Sequence, residues 1–512
     1  MSKPLIIPPM TKKPNILLIT SDQQHWNTMS FLGSEVRTPH LDALAAGGTH
    51  FDRAYCPNPT CTPTRASIIT GMYPSQHGAY SLGTKLMEDV PVVGDVFQQH
   101  GYHTSLVGKA HFQPLASTEE YPSLEAYPIL QDLDYWRDNH GPFYGFEHVE
   151  LARNHVDEAH VGQHYAIWLE EKGCTNWRDY FRPPTGTRTE CKRSWEIPDE
   201  FHYNKWIAER TNALLDRYAD NDEPFFCWSS FFDPHPPYTV PEPWASMYDP
   251  AEVTVPEADP DEHKYTPPWH QMTQQQKPDF SFLRSEEHPH GVHGYSSHLH
   301  NRDEMAKDIA TYYGMMSCMD AAIGTILAKL EERGLADNTI VVFTSDHGHF
   351  YGHHGLKAKG GFHYEDVIRV PFIVRWPGQT PAGQRSQQLQ SLIDLAPTFL
   401  SACDIPVPRH MTGVDQSASW RGEEAARDKL LVEFNHQPGL LHLVTHVDER
   451  YKLTIYRGHD FGELWDLEED PGEIHNRWDD PAYAGVKAQL LQRMVQTGLE
   501  REAMPMPRIS GA

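Results

Sequence analysis

Short apolar runs, bounded by proline, glycine or charged residues, alternate along the chain with longer segments of helical periodicity. A continuous apolar run of about four to eight residues is typical of a strand buried on both faces, whereas an apolar repeat every three or four residues indicates a helix. The runs predict strands at residues 15–20, 104–107, 225–230, 339–344 and 372–375. The helical pattern predicts helices at residues 40–46, 93–100, 204–218 and 302–333. This alternation predicts an α/β fold with a doubly wound, mixed sheet flanked by helices.

Four polar residues follow closely after predicted strands. They are Asp22, Lys109, His235 and Asp346. Ligands of doubly wound folds bind beyond the carboxyl ends of the strands. We therefore expect these four side chains to meet in one active site.

The C-terminal part of the chain has a different pattern. From about Lys429 onward, β-type runs follow one another without intervening helices, and one helical segment comes after them. The runs are at residues 430–434, 441–447 and 451–456, and the helical segment is at 483–500. This pattern predicts a small antiparallel α+β subdomain. We predict a catalytic domain at residues 12–425 and a C-terminal subdomain at residues 426–512.

Two segments, residues 113–200 and 255–302, are rich in proline and have little periodicity. We expect both to form long excursions from the catalytic domain that shape the substrate pocket. The second segment contains a histidine-rich run at residues 288–302. We interpret this run as a solvated loop rather than as a metal site.

Charge limits the classes of partner. The 512 residues include 43 Lys and Arg against 70 Asp and Glu, a formal net charge of -27, which argues against a nucleic-acid partner. An acidic protein that acts on an anionic substrate must gather positive charge locally, from a metal ion and a few basic side chains. No apolar run approaches the ~20 residues that a membrane span needs, so we expect no membrane segment.

Compartment and assembly can also be predicted. The first fifteen residues do not have the pattern of a secretory signal, because their apolar stretch is short, broken by prolines and followed by a basic pair. The seven cysteines are odd in number and scattered, which indicates reduced thiols and a cytoplasmic protein. The apolar, non-helical tail at residues 503–512 favours contact with another subunit in a homo-oligomer.

The run C-T-P-T-R-A-S-I-I-T-G, from Cys61 to Gly71, carries the most chemical information. Pro63 suits the first turn of a helix, where a missing N–H costs no hydrogen bond. The side chain of Cys61 would then lie at a helix N-terminus, where partial positive charge favours an anion. Arg65 is close enough to fork onto an anion bound there. The run resembles the C-x-P-x-R-A-x-x-x-T-G signature of the type I sulfatases.

This resemblance implies an alkaline phosphatase-like fold and the hydrolysis of sulfate monoesters to an alcohol or phenol plus sulfate. In that family a maturation enzyme oxidises the signature cysteine to formylglycine, so the resemblance implies this modification at Cys61. The hydrated aldehyde is a gem-diol, one hydroxyl of which attacks sulfur. Loss of the proton from the second hydroxyl then expels sulfate and regenerates the aldehyde.

The resemblance also implies a metal site. Asp22 and Gln23 match the first pair of metal ligands, although many family members carry a second Asp at the position of Gln23. Asp346 and His347 match the second pair, and the modified Cys61 completes the set. Carboxylate and amide oxygens favour a hard cation, so we expect one divalent ion, Ca²⁺ ahead of Mg²⁺ or Mn²⁺.

Further motifs resemble the basic groups of the family. Gly-Lys-Ala-His matches the element whose Lys109 contacts the sulfate and whose His111 contacts the formylglycine, and an extended backbone would point both side chains to one side. His235 in Pro-His-Pro-Pro-Tyr matches the histidine that binds the leaving-group oxygen. By register Lys359, and not Lys357, is the active-site lysine.

The sequence also allows other interpretations of the function. Phosphonate monoester and phosphate diester hydrolases of the same superfamily share the formylglycine and similar metal ligands, but carry Tyr and Thr where this chain has Lys109 and His111. The two additional basic groups favour a sulfate monoester. A zinc phosphatase of the superfamily fits less well, because it uses Ser or Thr as nucleophile. A chain whose Cys61 stays unmodified would be a silent binding protein. Aryl, alkyl, carbohydrate and choline-type sulfates all remain open as substrates.

Overall fold

The computed structural model describes residues 13–153, 161–181, 194–259, 261–286, 289–437, 440–502, 504 and 506–510. The strands are β1 (Asn15–Ser21), β2 (Thr49–Phe51), β3 (Ala54–Tyr55), β4 (His103–Gly108), β5 (His148–Leu151), β6 (Phe225–Ser230), β7 (Thr339–Ser345), β8 (Arg369–Val370), β9 (Phe372–Arg375), β10 (Gln384–Ser386), β11 (Gln390–Ser391), β12 (Lys429–Gln437), β13 (Leu441–Asp448), β14 (Tyr451–Tyr456) and β15 (Gly462–Asp466). The α-helices are α1 (Pro39–Ala46), α2 (Cys61–Thr70), α3 (Pro74–His77), α4 (Val93–Gln99), α5 (Leu133–Asp138), α6 (Gln163–Glu171), α7 (Tyr203–Asn221), α8 (Pro268–Thr273), α9 (Arg302–Glu332), α10 (Glu365–Ile368), α11 (Leu395–Ala402), α12 (Ser417–Trp420) and α13 (Ala484–Glu500).

The main sheet has eight strands in the order β10-β2-β9-β7-β1-β6-β4-β5. Neighbouring strands from β7 to β5 pair in parallel, whereas β9 is antiparallel to both β7 and β2. The mixed sheet with flanking helices that the apolar pattern predicts is therefore confirmed. All five strands expected from the apolar runs lie next to one another in its centre.

Both faces of the sheet are buried, which explains why its central strands are continuously apolar. Leu17 and Ile19 of β1 belong to a hydrophobic cluster that includes residues of α7 and α9. Ile16 and Leu18 point to the other face and join a cluster with residues of α2, α4 and α11. Since successive side chains of a strand point to opposite faces, β1 anchors both layers of helices.

The C-terminal sheet consists of β12, β13, β14 and β15 in antiparallel order, and α13 packs on it through Leu490 and Met494. The sheet is joined to the segment that precedes α2. The backbone N–H of Glu433 donates to the Pro57 carbonyl at 2.8 Å, and Asn58 Nδ2 donates to the Glu433 carbonyl at 2.7 Å. Strand β12 therefore supports the start of helix α2.

The two predicted excursions are more ordered than their composition indicates. Residues 113–200 include α5, α6 and β5, and β5 forms an edge of the main sheet by pairing in parallel with β4. The interpretation of residues 288–302 as a solvated loop is wrong for His298, which is 2% exposed, and for Val292 and Tyr295, which belong to a buried cluster. Apolar residues between the histidines hold this segment against the protein.

Cys56, Cys61, Cys174, Cys227, Cys318 and Cys403 are free and buried, and Cys191 lies outside the described residues. Across the described ranges no helix has the length and apolar character needed to cross a bilayer. Met504, Met506 and Ile509 of the tail are exposed, whereas residues 503, 505, 511 and 512 lie outside the described part.

Candidate active site

The predicted site residues meet at the carboxyl edge of four neighbouring parallel strands. Asp22, Lys109 and Asp346 are the first residues after β1, β4 and β7, and His235 follows the end of β6 by five residues. The turn after β6 is joined to the turn after β1, because the Asp22 N–H donates to the Asp233 carbonyl at 3.0 Å. The convergence expected from the sequence is therefore present in the fold.

Cys61 is the first residue of helix α2 and is 1% exposed. Its Sγ lies 3.0 Å from Lys359 Nζ, 3.2 Å from His347 Nε2, 3.6 Å from Asp22 Oδ1 and 3.7 Å from Lys109 Nζ. Pro63 occupies the third helical position, where no intrahelical N–H donor is needed. The helix N-terminus, the two lysines and the acidic strand ends therefore face one sulfur atom.

Positive charge dominates the surroundings of the thiol. Burial and the Asp22 carboxylate would raise the pKa of Cys61, but Lys109, Lys359 and His347 outweigh both and lower it to about 5. Burial alone would also raise the pKa of Asp22. Nearby positive charges instead hold this pKa well below the usual value, and the largest contribution comes from Lys109, which forms a buried ion pair with Asp22. Local cations thus overcome the acidic net charge of the chain at this position.

Arg65 contacts the ends of three strands of the main sheet. Its Nε donates to Asp346 Oδ2 at 2.8 Å, and its Nη1 donates to the Lys109 carbonyl at 2.9 Å and to Ser230 Oγ at 2.7 Å. The guanidinium group is buried and ties the ends of β7, β4 and β6 together. Nη2 has no hydrogen-bond partner among the described residues.

The donor set fits a divalent cation. One ligand atom from each of Asp22, Cys61, Asp346 and His347 lies within 4.8 Å of the others, and all four residues are buried. His347 Nδ1 lies 2.9 Å from the Gly348 carbonyl oxygen, which can only accept, so Nδ1 carries the hydrogen. Nε2 therefore carries the lone pair, and it is the nitrogen that faces the cluster. The amide of Gln23 is buried, and neither its oxygen nor its nitrogen has a partner in the described part of the chain. A buried amide of this kind is costly unless a ligand satisfies it.

The two remaining histidines lie at the ends of the same strands. Burial lowers the pKa of His235 well below its usual value; Asp22 opposes this shift, and Lys359 and Lys109 add to it. Its Nδ1 lies 2.6 Å from the Pro236 carbonyl. His111 is 6% exposed, and its backbone N–H donates to Glu125 Oε1 at 2.8 Å. The extended conformation expected there is wrong, because His111 has a φ of 59° in the left-handed region.

The register that selects Lys359 agrees with the structure. Lys357 Nζ instead donates to the Leu299 carbonyl at 3.1 Å, at an exposed position. Ala358 has a φ of 64°, a conformation that glycine adopts more easily, and its carbonyl accepts hydrogen bonds from His349 and Phe350.

Sequence reasoning missed one residue near this site, His293. Its imidazole interacts electrostatically with Lys359, His235 and His347. The glycines next to the histidines of residues 288–302 are a signal for close packing against another segment. The composition of the run instead favours a solvent-exposed loop, so this signal was missed.

Hydrolysis of an anionic ester is the chemistry that this edge of the sheet supports, and the fold is that of the alkaline phosphatase superfamily. Within it the chain belongs to the sulfatase family, whose model, described as "Sulfatase", matches residues 14–405. A second model, "N-sulphoglucosamine sulphohydrolase, C-terminal", matches residues 352–500. Membership makes the protein a sulfuric ester hydrolase.

Similar proteins support this assignment. The chain is 29% identical over 486 residues to the uncharacterized sulfatase YidJ of Escherichia coli (strain K12), covering 94% of this chain and 86% of YidJ. It is 28% identical over 479 residues to an arylsulfatase of Clostridium perfringens, covering 91% and 90%. The crystal structure of a phosphonate monoester hydrolase of Agrobacterium radiobacter has a TM-score of 0.75 at 25% identity and 96% coverage of both chains.

Proposed function

We propose that the protein hydrolyses sulfate monoesters to an alcohol or phenol plus sulfate, with a hydrated formylglycine at position 61 as the nucleophile. The observation that carries the proposal is the position of Cys61 at the N-terminus of α2, within 3.7 Å of Lys359, His347, Asp22 and Lys109. The hydrated aldehyde would supply one hydroxyl to attack sulfur and a second whose deprotonation releases sulfate. A serine supplies only the first.

Asp22, Gln23, Asp346 and His347, together with an oxygen of the modified residue 61, would hold one divalent cation. Most of these donors are oxygens, which favours Ca²⁺ ahead of Mg²⁺ or Mn²⁺. The bound cation would neutralise the sulfuryl oxygens and polarise the ester. Arg65 would orient Asp346 for this task by its hydrogen bond at 2.8 Å.

The basic side chains have separate roles in the proposal. Lys109 and Lys359 hold the sulfuryl oxygens, because both ammonium groups lie beside the position of the nucleophile. The Pro236 carbonyl fixes the Nδ1–H of His235, so proton transfer to the leaving group would use Nε2. The negative charge of a bound ester favours protonation of that atom. His111 takes the proton of the second hydroxyl.

The proposal includes a maturation enzyme that acts on Cys61 and a cytoplasmic location. The six free thiols support a reducing compartment. Mass spectrometry of the peptide that contains Cys61, from protein made with and without a formylglycine-generating enzyme, tests the modification. We expect the aldehyde and sulfatase turnover to appear together. Steady multiple turnover by protein with an unmodified thiol, or by the Cys61→Ser variant, would contradict the mechanism.

A second candidate is the hydrolysis of phosphonate monoesters or phosphate diesters by the same nucleophile, which the similarity to the Agrobacterium radiobacter enzyme favours. Lys109 discriminates between the two, because a second lysine beside residue 61 suits the three non-bridging oxygens of a sulfate ester. Initial rates of mature protein on 4-nitrophenyl sulfate and on 4-nitrophenyl phenylphosphonate decide the question. Much faster phosphonate cleavage would replace the first proposal with the second.

A further inference from the structure

The loop at residues 289–299 is packed directly along the segment that carries Lys359. A Cβ atom added to Gly294 would lie 2.3 Å from the Lys359 carbonyl oxygen, and one added to Gly360 would lie 2.5 Å from the His293 carbonyl oxygen. Tyr295 donates from its hydroxyl to the Gly361 carbonyl at 2.9 Å. Only glycine permits this approach of two backbones. The loop is therefore part of the wall of the active site.

Strand β12 of the C-terminal sheet fixes the backbone of this loop. His436 Nε2 accepts a hydrogen bond from the His293 N–H at 3.4 Å, and His436 Nδ1 lies 2.9 Å from Ser81 Oγ. Since Nε2 is an acceptor here, Nδ1 carries the hydrogen and donates to Ser81. His436 is a positioning residue that presents His293 to the site.

The imidazole of His293 itself is not satisfied. Its Nε2 is buried and has no hydrogen-bond partner within the described ranges. Burial, and then the charge of Lys359, lower the pKa of His293 well below its usual value, with His436, His235 and His347 adding to the effect. A buried nitrogen of this kind favours a ligand that completes its hydrogen bonding.

We propose that His293 contacts the leaving group of the substrate and hydrogen-bonds to a hydroxyl that neighbours the ester oxygen. The substrate is then the sulfate ester of a polyhydroxylated alcohol such as a hexose. This inference rests on the proposed function. His235, which protonates the departing oxygen in that mechanism, and Lys359, which holds the sulfuryl oxygens, both interact electrostatically with the imidazole of His293.

Neutral imidazole suits a hydroxyl better than it suits the sulfuryl group. A hydroxyl both donates and accepts hydrogen bonds, as does a neutral imidazole. The sulfuryl oxygens already have Lys109, Lys359 and the cation as partners. A simple aryl leaving group would leave the buried Nε2 of His293 without a partner, at a cost in transition-state binding.

The test compares His293→Ala, His293→Gln and a control, His290→Ala, an exposed position of the same loop. Each mature variant is assayed on a panel of hexose monosulfates and on 4-nitrophenyl sulfate. We expect His293→Ala to lower kcat/KM on the best hexose sulfate about tenfold or more and on the aryl ester less than about threefold. His293→Gln restores part of the loss, since its amide can reach the same hydroxyl, and His290→Ala changes neither rate.

Other outcomes overturn the inference. Equal losses on both classes would show that His293 supports the sulfuryl group or the fold, and turnover of 4-nitrophenyl sulfate by wild-type protein with none of the hexose sulfates would reject the substrate class. Both results leave the proposed function intact.

A mature protein that turns over neither class, and no alkyl or choline-type sulfate, contradicts the proposed function instead. The role of His293 is then read from calorimetric binding of the same esters to the Cys61→Ala variant with and without His293→Ala. Selective weakening for hexose sulfates supports the inference, and equal or absent weakening rejects it.

Discussion

Arg65 and Asp346 form a buried ion pair in which Nε of Arg65 donates to Oδ2 of Asp346 at 2.8 Å, with side-chain exposures of 0% and 1%. The pair joins the N-terminal half of α2 to the end of β7. We expect Arg65→Lys to weaken divalent-cation binding about 10- to 100-fold, because a lysine keeps the charge but cannot hold the carboxylate and the strand ends together. Calorimetric titration of the mature variant with Ca²⁺ measures this.

The control for Arg65→Lys is Arg450→Lys in the C-terminal sheet. Arg450 also forms an ion pair with a carboxylate, that of Asp466, to which it donates at 2.9 and 2.6 Å. Its replacement should leave cation affinity unchanged. Equal affinities of all three proteins would refute the role assigned to Arg65.

Gln23 offers a second test of the metal site. Replacement by Glu adds a negative charge where a buried amide has no described partner, so Gln23→Glu should bind Ca²⁺ more tightly than the wild-type protein. Chelation with EDTA should abolish turnover and lower the Tm of both proteins, and Ca²⁺ should restore both quantities. Gln271→Glu, at an exposed position, is the matched control. Unchanged affinity in Gln23→Glu would place the cation elsewhere.

His235→Gln tests proton donation to the leaving group. The amide keeps a hydrogen-bonding group of similar size but cannot transfer a proton. We expect kcat/KM to fall about 10²- to 10⁴-fold for alkyl sulfates, whose leaving oxygen needs the proton. The fall should be much smaller for 4-nitrophenyl sulfate, whose leaving group departs as a stable anion. A uniform loss across a series of leaving groups would argue that His235 only binds substrate.

A buried histidine outside the reaction centre makes stability depend on pH. Burial would lower the pKa of His354, but hydrogen bonds and ion pairs to Asp366 and Glu262 raise it to about 10. The folded state therefore holds this proton more tightly than the unfolded chain, where the value is near 6.5. The stabilisation is complete below pH 6.5 and is lost as the pH rises toward 10.

Urea unfolding between pH 6 and pH 10 measures this dependence. The free energy of unfolding should fall by on the order of a few kcal/mol across the range, and His354→Gln should remove that part of the slope. His300→Gln, in a neighbouring loop, should keep it. Parallel profiles for wild-type protein and His354→Gln would exclude the ion-pair network as the source.

Ala358 marks a strained position of the backbone, with a φ of 64°. A left-handed conformation costs a residue with a Cβ about 1–2 kcal/mol, and a glycine at the same position avoids this cost. The greater freedom of glycine in the unfolded chain offsets part of the resulting gain in stability. We therefore expect Ala358→Gly to raise the free energy of unfolding by about 1 kcal/mol. Ala213→Gly, at an exposed position in the interior of α7, should lower it by a similar amount. A destabilised Ala358→Gly would mean that the methyl group makes contacts worth more than the strain.

The central sheet and most of the site could be predicted because both leave local signals. Strand β1 has a continuous apolar run at residues 16–19 and is followed by the charged Asp22, and Lys359 is identified by the register of its motif. His293 could not be predicted in the same way, because its place depends on two glycines that let distant backbones touch. The partner of Arg65 also depends on tertiary structure, since Asp346 is far away in sequence. The left-handed backbone at His111 has no local signal, because glycine is absent there.

The boundary at residues 425 and 426 and the oligomeric contact of the tail stay predictions. Strand β12 nevertheless belongs functionally to the site, since Glu433 supports the residues before α2 and His436 supports His293. A fragment that ends at residue 425 would lack both supports.

The side chain of Cys61 is almost completely buried once the chain has folded, at 1% exposure. Another protein cannot take such a residue into its own catalytic pocket without first opening the structure. Under the proposed function, we therefore expect the maturation enzyme to meet Cys61 on a nascent or unfolded polypeptide. In that proposal the order of events during synthesis, and not only the amino-acid sequence, determines whether the nucleophile forms.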